Sequence, residues 1–276
     1  MSTSQDPWSS WKTLTQARIA LGRAGGSLPT SQWLTFNFAH SLARDAVHAS
    51  LDAELLASEL AQLGLPTVVT TSNARDRFEY LRRPDLGRQL PKEEAGRIGP
   101  LLRSDLPAET QYDLVVIVAD GLSSPAAQAH SVPLLKELVP LLQEADWKIA
   151  PIVIARQARV ALQDEIGALA KARISLILLG ERPGLSSPDS LGAYFIYEPQ
   201  TGSNDAQRNC ISNIRPDGLP IQQATETLYY LLTQSHTRRL SGVQLKDDRV
   251  LGLPGAPTEQ THRHIEINEA ARISSQ

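Results

Sequence analysis

One cysteine, one methionine and 5% aromatic residues are the scarcities of this 276-residue chain. With Cys210 alone, no disulfide can close within the chain, so a reducing cytosol is the expected home. A basic excess is also missing: 27 lysines and arginines face 30 aspartates and glutamates, a formal charge of -3. Nucleic-acid binders carry a positive footprint, so nucleic acid is not an expected partner. The longest apolar runs, residues 114–119 and 176–180, fall far short of the ~20 residues of a membrane-spanning helix. The first eight residues, Met1 to Trp8, lack the basic start and apolar stretch of a secretory signal. No membrane association is expected.

What is present is a globular composition, 41% hydrophobic with 17 glycines and 18 prolines. The length suits one large domain or two small ones. Residues 1–13 read as a polar arm, and a short helical pattern over 14–21 runs into Gly22, Gly25 and Gly26. Apolar residues at spacings of three and four (Ala39, Leu42, Ala43, Ala46, Val47, Leu51, Leu55, Leu60) predict one long helix over 38–63. A second helix is expected over 73–83, and the glycines and prolines of 84–112 read as a connector. Residues 114–119 form a continuous β-branched run, as in a strand buried on both faces. Strands over 148–155, 175–179 and 192–197 alternate with helices over 125–145, 159–173 and 219–239. Pro133 and Pro140 should kink or divide the first of these. The expected fold class is α/β: a doubly wound, mostly parallel sheet with an N-terminal helical region. The expected division is an arm and helical region over 1–112, an α/β body over 113–247, and a loose tail over 248–276.

Ligands of such sheets bind beyond the carboxyl ends of the strands. Gly-Leu-Ser-Ser-Pro occurs there twice, at 121–125 and 184–188. Its plain reading is capping, with Ser124 and Ser187 at N-cap and Pro125 and Pro188 at the first helical position. A helix start of that kind also offers N–H groups to a polar or anionic ligand. A serine nucleophile at Ser123 or Ser186 is disfavoured, because the elbow motif needs a small fifth residue where proline stands. His40 and His48 lack the one-turn spacing of helical metal ligands, and His262 and His264 sit in the tail. No metal site is expected. Glu181 ends a strand beside Arg182, where it could form an ion pair or serve as a pocket carboxylate.

Several segments in order carry a resemblance to a known family. They include Ala17-Arg-Ile-Ala-Leu-Gly-Arg23, His40-Ser-Leu-Ala-Arg-Asp-Ala-Val-His48, Tyr80-Leu-Arg-Arg-Pro84 and Ala119-Asp-Gly-Leu-Ser123. Further on come Asp164-Glu-Ile-Gly167, Gly180-Glu-Arg-Pro-Gly-Leu185, Ser187-Pro-Asp-Ser-Leu-Gly192 and Arg208-Asn-Cys-Ile-Ser-Asn-Ile214. Together, over residues 14–247, they resemble the small subunit of ethanolamine ammonia-lyase. The resemblance implies an adenosylcobalamin-dependent radical conversion of ethanolamine to acetaldehyde and ammonia. It places the catalytic residues on a separate large subunit, in a hetero-oligomer with several copies of each chain, in the cytosol or inside a microcompartment. It maps cobalamin contacts to Val160, Glu181 and Cys210. Gln163 departs from the pattern, since the family commonly has glycine before Asp164-Glu-Ile-Gly167. The competing expectations are a non-catalytic scaffold or targeting subunit, and a stand-alone α/β hydrolase.

Overall fold

The computed structural model describes residues 6–15, 17–104, 107 and 110–249. The chain divides into two compact units, Met1–Leu245 and Lys246–Gln276, and the architecture below is that of the first. Most of the expected tail, with His262 and His264, lies outside the described residues.

Six strands form one sheet: β1 (Thr67–Thr71), β2 (Tyr112–Ala119), β3 (Ile152–Arg156), β4 (Ala172–Gly180), β5 (Leu191–Tyr197) and β6 (Arg208–Ile214). Their order is β1-β3-β2-β4-β5-β6. The pairs β1–β3, β3–β2 and β2–β4 are parallel, whereas β4–β5 and β5–β6 are antiparallel. Along β2, alternate residues enter opposite cores, which is why the whole run is apolar. Leu114, Val116 and Val118 join the core formed with α2 (Ala53–Leu60), α5 (Ser124–Glu144) and α7 (Ile221–Arg238). Val115, Ile117 and Ala119 join the core under α4 (Lys92–Leu102) and α6 (Leu162–Ala170). Helices on both faces of a mostly parallel sheet make this the doubly wound α/β fold expected above. No helix among the described residues is long and apolar enough to cross a membrane.

Six elements differ from expectation. None of the described residues of 14–21 is helical, and a short 3₁₀ turn at Ser9–Thr13 precedes them. The long helix divides into α1 (Thr30–His48) and α2, because the Asp52 carboxylate caps α2 by accepting from Leu55 N at 2.9 Å. Inside 84–112 lies α4, whose Gly96, Gly99 and Pro100 disguise it in the sequence. The strands β1 and β6 are additional to those expected; β6 is mostly polar, so it lacks the apolar alternation that marks a strand. α5 runs from Ser124 to Glu144 through both Pro133 and Pro140. A remaining helix, α3 (Arg77–Arg82), lies within the expected 73–83.

The loops after β2 and β4 are pressed together at backbone distance. A Cβ on Gly121 (φ +54°) would fall 2.2 Å from the Gly180 carbonyl oxygen, and one on Gly180 would fall 1.9 Å from that of Ser123. Only glycine fits at either place.

Candidate functional site

After β2 the chain departs to α5 on one face of the sheet. After β3, the neighbour of β2, it departs to α6 on the other. The two loops part at the carboxyl edge, and a crevice at this kind of topological switch is the usual ligand site of open α/β sheets. Two adjoining clefts meet at Arg159 and Val160 in the loop after β3, and the larger runs from there along β5 and β6 to the 201–205 loop. The larger, about 790 Å³, includes Val160, Asp164, Tyr194, Arg208 and Cys210 in its lining. The smaller, about 380 Å³, is lined by Tyr80, Leu122, Glu181 and their neighbours. Arg159, Val160 and Tyr194 belong to both and form the partition between them. The larger volume lies in the range of small-molecule and cofactor pockets.

The structure therefore gathers Val160, Glu181 and Cys210 around one side chain, Tyr194. Val160 sits in the loop that follows β3 and opens α6. Cys210 lies opposite Tyr194 in the β5–β6 pairing. Cys210 is an exposed residue, yet burial around the sulfur pushes its pKa up, and a hydrogen bond with the Tyr194 side chain opposes that. The Tyr194 hydroxyl reaches Glu181 Oε1 at 3.4 Å, and burial raises its pKa as well.

Glu181 is not paired with Arg182. It accepts from Ser190 Oγ at 2.6 Å, Ser212 Oγ at 2.5 Å and Asn213 N at 3.1 Å, besides Tyr194. Its carboxylate thus ties the loop after β4 to β5 and to the far end of β6. Gly192 allows this approach, since a Cβ there would come within 2.9 Å of Glu181 Oε1.

Behind the partition lies a network that the sequence did not announce. Asp120, 2% exposed, accepts from Gln157 N at 2.8 Å and Ala158 N at 3.1 Å, binding the ends of β2 and β3 together. Burial pushes its pKa up, and Arg77, 3.5 Å away, opposes that. The fully buried Tyr80 ring lies between the guanidinium groups of Arg77 and Arg159, at 4.7 and 4.2 Å, and its hydroxyl donates to Ala158 O at 3.0 Å. A second buried charge pair, Asp164 with Arg208, joins α6 to β6 beside the larger cleft. The signal for both networks was present only as isolated polar residues inside the segments Ala119–Ser123, Asp164–Gly167 and Arg208–Ile214.

The repeated pentapeptide does not cap two helices. Ser123, not Ser124, is the N-cap of α5, accepting from Ala126 N at 3.3 Å. No helix follows Ser187. Instead the two copies meet, because Ser123 Oγ donates to Pro188 O at 2.8 Å. Fully buried and so engaged, Ser123 is no nucleophile. Gln163, where the family commonly has glycine, is fully buried with both amide atoms unpartnered. Among the described residues no cluster of three metal-ligating side chains occurs. A cavity of about 1010 Å³ at the opposite edge of the sheet has none of Val160, Glu181 and Cys210 in its lining.

Fold and site thus define a doubly wound α/β protein with a divided, ligand-sized cleft that begins at the carboxyl edge of its parallel strands and runs along β5 and β6. The family model for the ethanolamine ammonia-lyase light chain (EutC) matches residues 5–246. A relative from Azotobacter vinelandii, named ethanolamine ammonia-lyase small subunit, is 51% identical over 255 residues, covering 91% of this chain and 93% of its own. Relatives of the same name from Pseudomonas putida and Pseudomonas aeruginosa are 48% and 47% identical, each match covering 89% of both chains. The chain belongs to the ethanolamine ammonia-lyase light-chain family.

Proposed function

We propose that this chain forms one wall of an adenosylcobalamin site that is completed by the large catalytic subunit of an ethanolamine ammonia-lyase. The observation that carries this reading is the convergence of Val160, Glu181 and Cys210 on Tyr194, where two clefts share a partition. Adenosylcobalamin, when bound, supplies the radical chemistry that turns ethanolamine into acetaldehyde and ammonia. This chain's part is binding and orientation. Val160, Ala161 and the Tyr194 ring present apolar surface to a broad macrocycle, and Cys210 acts as a small apolar contact. The Ser190, Tyr194 and Ser212 hydroxyls around Glu181 can exchange its hydrogen bonds for bonds to amide or ribose groups.

The polar character of the cleft fits such a ligand. Arg159 Nε, Asp164 Oδ1 and Arg208 Nε are buried without hydrogen-bond partners, and all three side chains line the larger cleft. Buried polar atoms normally have partners, and a ring edged with carboxamides offers both donors and acceptors. An apolar face elsewhere supports assembly with a large subunit. On α1, Leu34, Phe38 and Leu42 at i, i+4 and i+8 line one side and are between 42% and 65% exposed, with Trp33 and Phe36 exposed elsewhere on the same helix. We place the assembly in the cytosol or within a microcompartment, with catalytic residues on the large subunit.

The test is co-expression with a large subunit, followed by titration with adenosylcobalamin and assay of acetaldehyde release. Binding and release should require both chains. Release by this chain alone, or no cofactor binding by the pair, would refute the proposal. A scaffold or targeting role would instead leave affinity unchanged in Glu181→Ala and Cys210→Ala complexes.

A further inference from the structure

We infer that the buried Asp164–Arg208 ion pair is the positioning device of the larger cleft, setting the separation between the wall that carries Val160 and the wall that carries Cys210. The inference rests on the cofactor reading above and gives two residues of that cleft's lining a positioning role.

The placement is specific. Asp164 lies in the first turn of α6, four residues beyond Val160. Arg208 opens β6 two residues before Cys210, so the two share a face of the strand. Both side chains are sealed from water, 2% exposed for Asp164 and 3% for Arg208. One Arg208 amino group, Nη2, donates to Asp164 Oδ2 and also to Ser203 O at 3.0 Å; the other, Nη1, donates to Asp205 Oδ1 at 2.9 Å. A single guanidinium therefore holds α6, β6 and the 203–205 loop, three sides of one cleft.

A buried ion pair is by itself weak evidence for stability. Burial pushes the Asp164 carboxyl up to about 6 although a guanidinium touches it, so desolvation outweighs the attraction. The contact is also incomplete, with Asp164 Oδ1 and Arg208 Nε left unpartnered. Apolar side chains of similar size commonly replace such pairs with no loss of stability, or a gain. A buried pair that joins three sides of a ligand cleft fixes their spacing, and misplacement of about 1 Å is enough to weaken a site strongly.

The experiment compares the assembled two-chain complex with its Asp164→Asn and Asp164→Leu/Arg208→Met variants. Adenosylcobalamin affinity is read by visible difference titration, and folding by the thermal midpoint of the complex. The double variant should melt at or above the parent temperature, yet bind the cofactor about tenfold or more weakly. Asp164→Asn should lose affinity out of proportion to any change in midpoint. Affinity that falls only in step with the midpoint across both variants would mark the pair as merely structural and overturn the assignment. Parent-like binding by the double variant would overturn it alone, whereas a parent complex that binds no cofactor would overturn it together with the functional reading.

Discussion

Removing the Glu181 carboxylate separates its two possible duties, because they are read by different assays. Four donors converge on it, and their surroundings set the cost of losing it. Ser190 is 5% exposed, so its orphaned hydroxyl would forfeit about 2 kcal/mol. Ser212 and Asn213 are exposed and Tyr194 half-buried, so water can replace each bond at a net loss of about 0.5 kcal/mol. Glu181→Ala should therefore destabilise by roughly 3.5 kcal/mol, equivalent to about 7 °C in a chain of this length. In Glu181→Gln the amide oxygen can still accept from Asn213 N and Ser190, while the hydroxyls of Ser212 and Tyr194 turn to accept from its NH₂ group. That variant should lose only about 1 kcal/mol, near 2 °C. Differential scanning calorimetry of the isolated chain supplies these values, and cofactor titration of the assembled complex supplies the other half. If Glu181→Ala melts within 1 °C of the parent, the four bonds do not hold the strand ends together and the reasoning fails.

Three further outcomes follow from the same geometry. Gly121→Ala would place a methyl group 2.2 Å from a carbonyl oxygen at positive φ, so a loss above ~3 kcal/mol and a sharp fall in soluble yield are expected; a parent-like melting curve would refute the close approach. Ser123→Ala removes both the α5 cap and the tether to Pro188, and should lower stability by about 1–3 kcal/mol in urea titration; an unchanged midpoint would contradict it. Replacing Leu34 and Phe38 on α1 with serine should make the isolated chain more monomeric in sedimentation velocity and weaken its capture of the large subunit; unchanged capture would remove α1 from the interface.

How much of this was legible in the sequence varies with the physics of each segment. β2, β3 and β4 stood out because strands covered on both faces must be apolar throughout. β6 hid because its sequence, Arg-Asn-Cys-Ile-Ser-Asn-Ile, spends most of its side chains on polar contacts, with Arg208 on Asp164 and Asn209 on Gly242 and Leu245. The break at Asp52 was obscured by an apolar spacing that continues across it. That spacing misled in a second way, since Leu42 and Leu55 stay exposed although they fit the stripe. At the site, Val160, Glu181 and Cys210 came from likeness to a family, and nothing in their own spacing would have joined them. Tyr194, which links them, lies inside a strand that reads as ordinary core.

The polar strand β6 also has a bearing on solubility. It pairs only with β5 and so forms an edge of the sheet, the kind of ladder onto which a strand from another molecule can add. Asn209 engages the backbone of Gly242 and Leu245, which covers part of that edge, and Ser212 and Asn213 keep its outer end hydrophilic. The strand that brings Cys210 to the cleft is thus also one that guards against fibre-like association. Any redesign that enlarges its apolar surface to grip a cofactor more tightly should be screened first for aggregation.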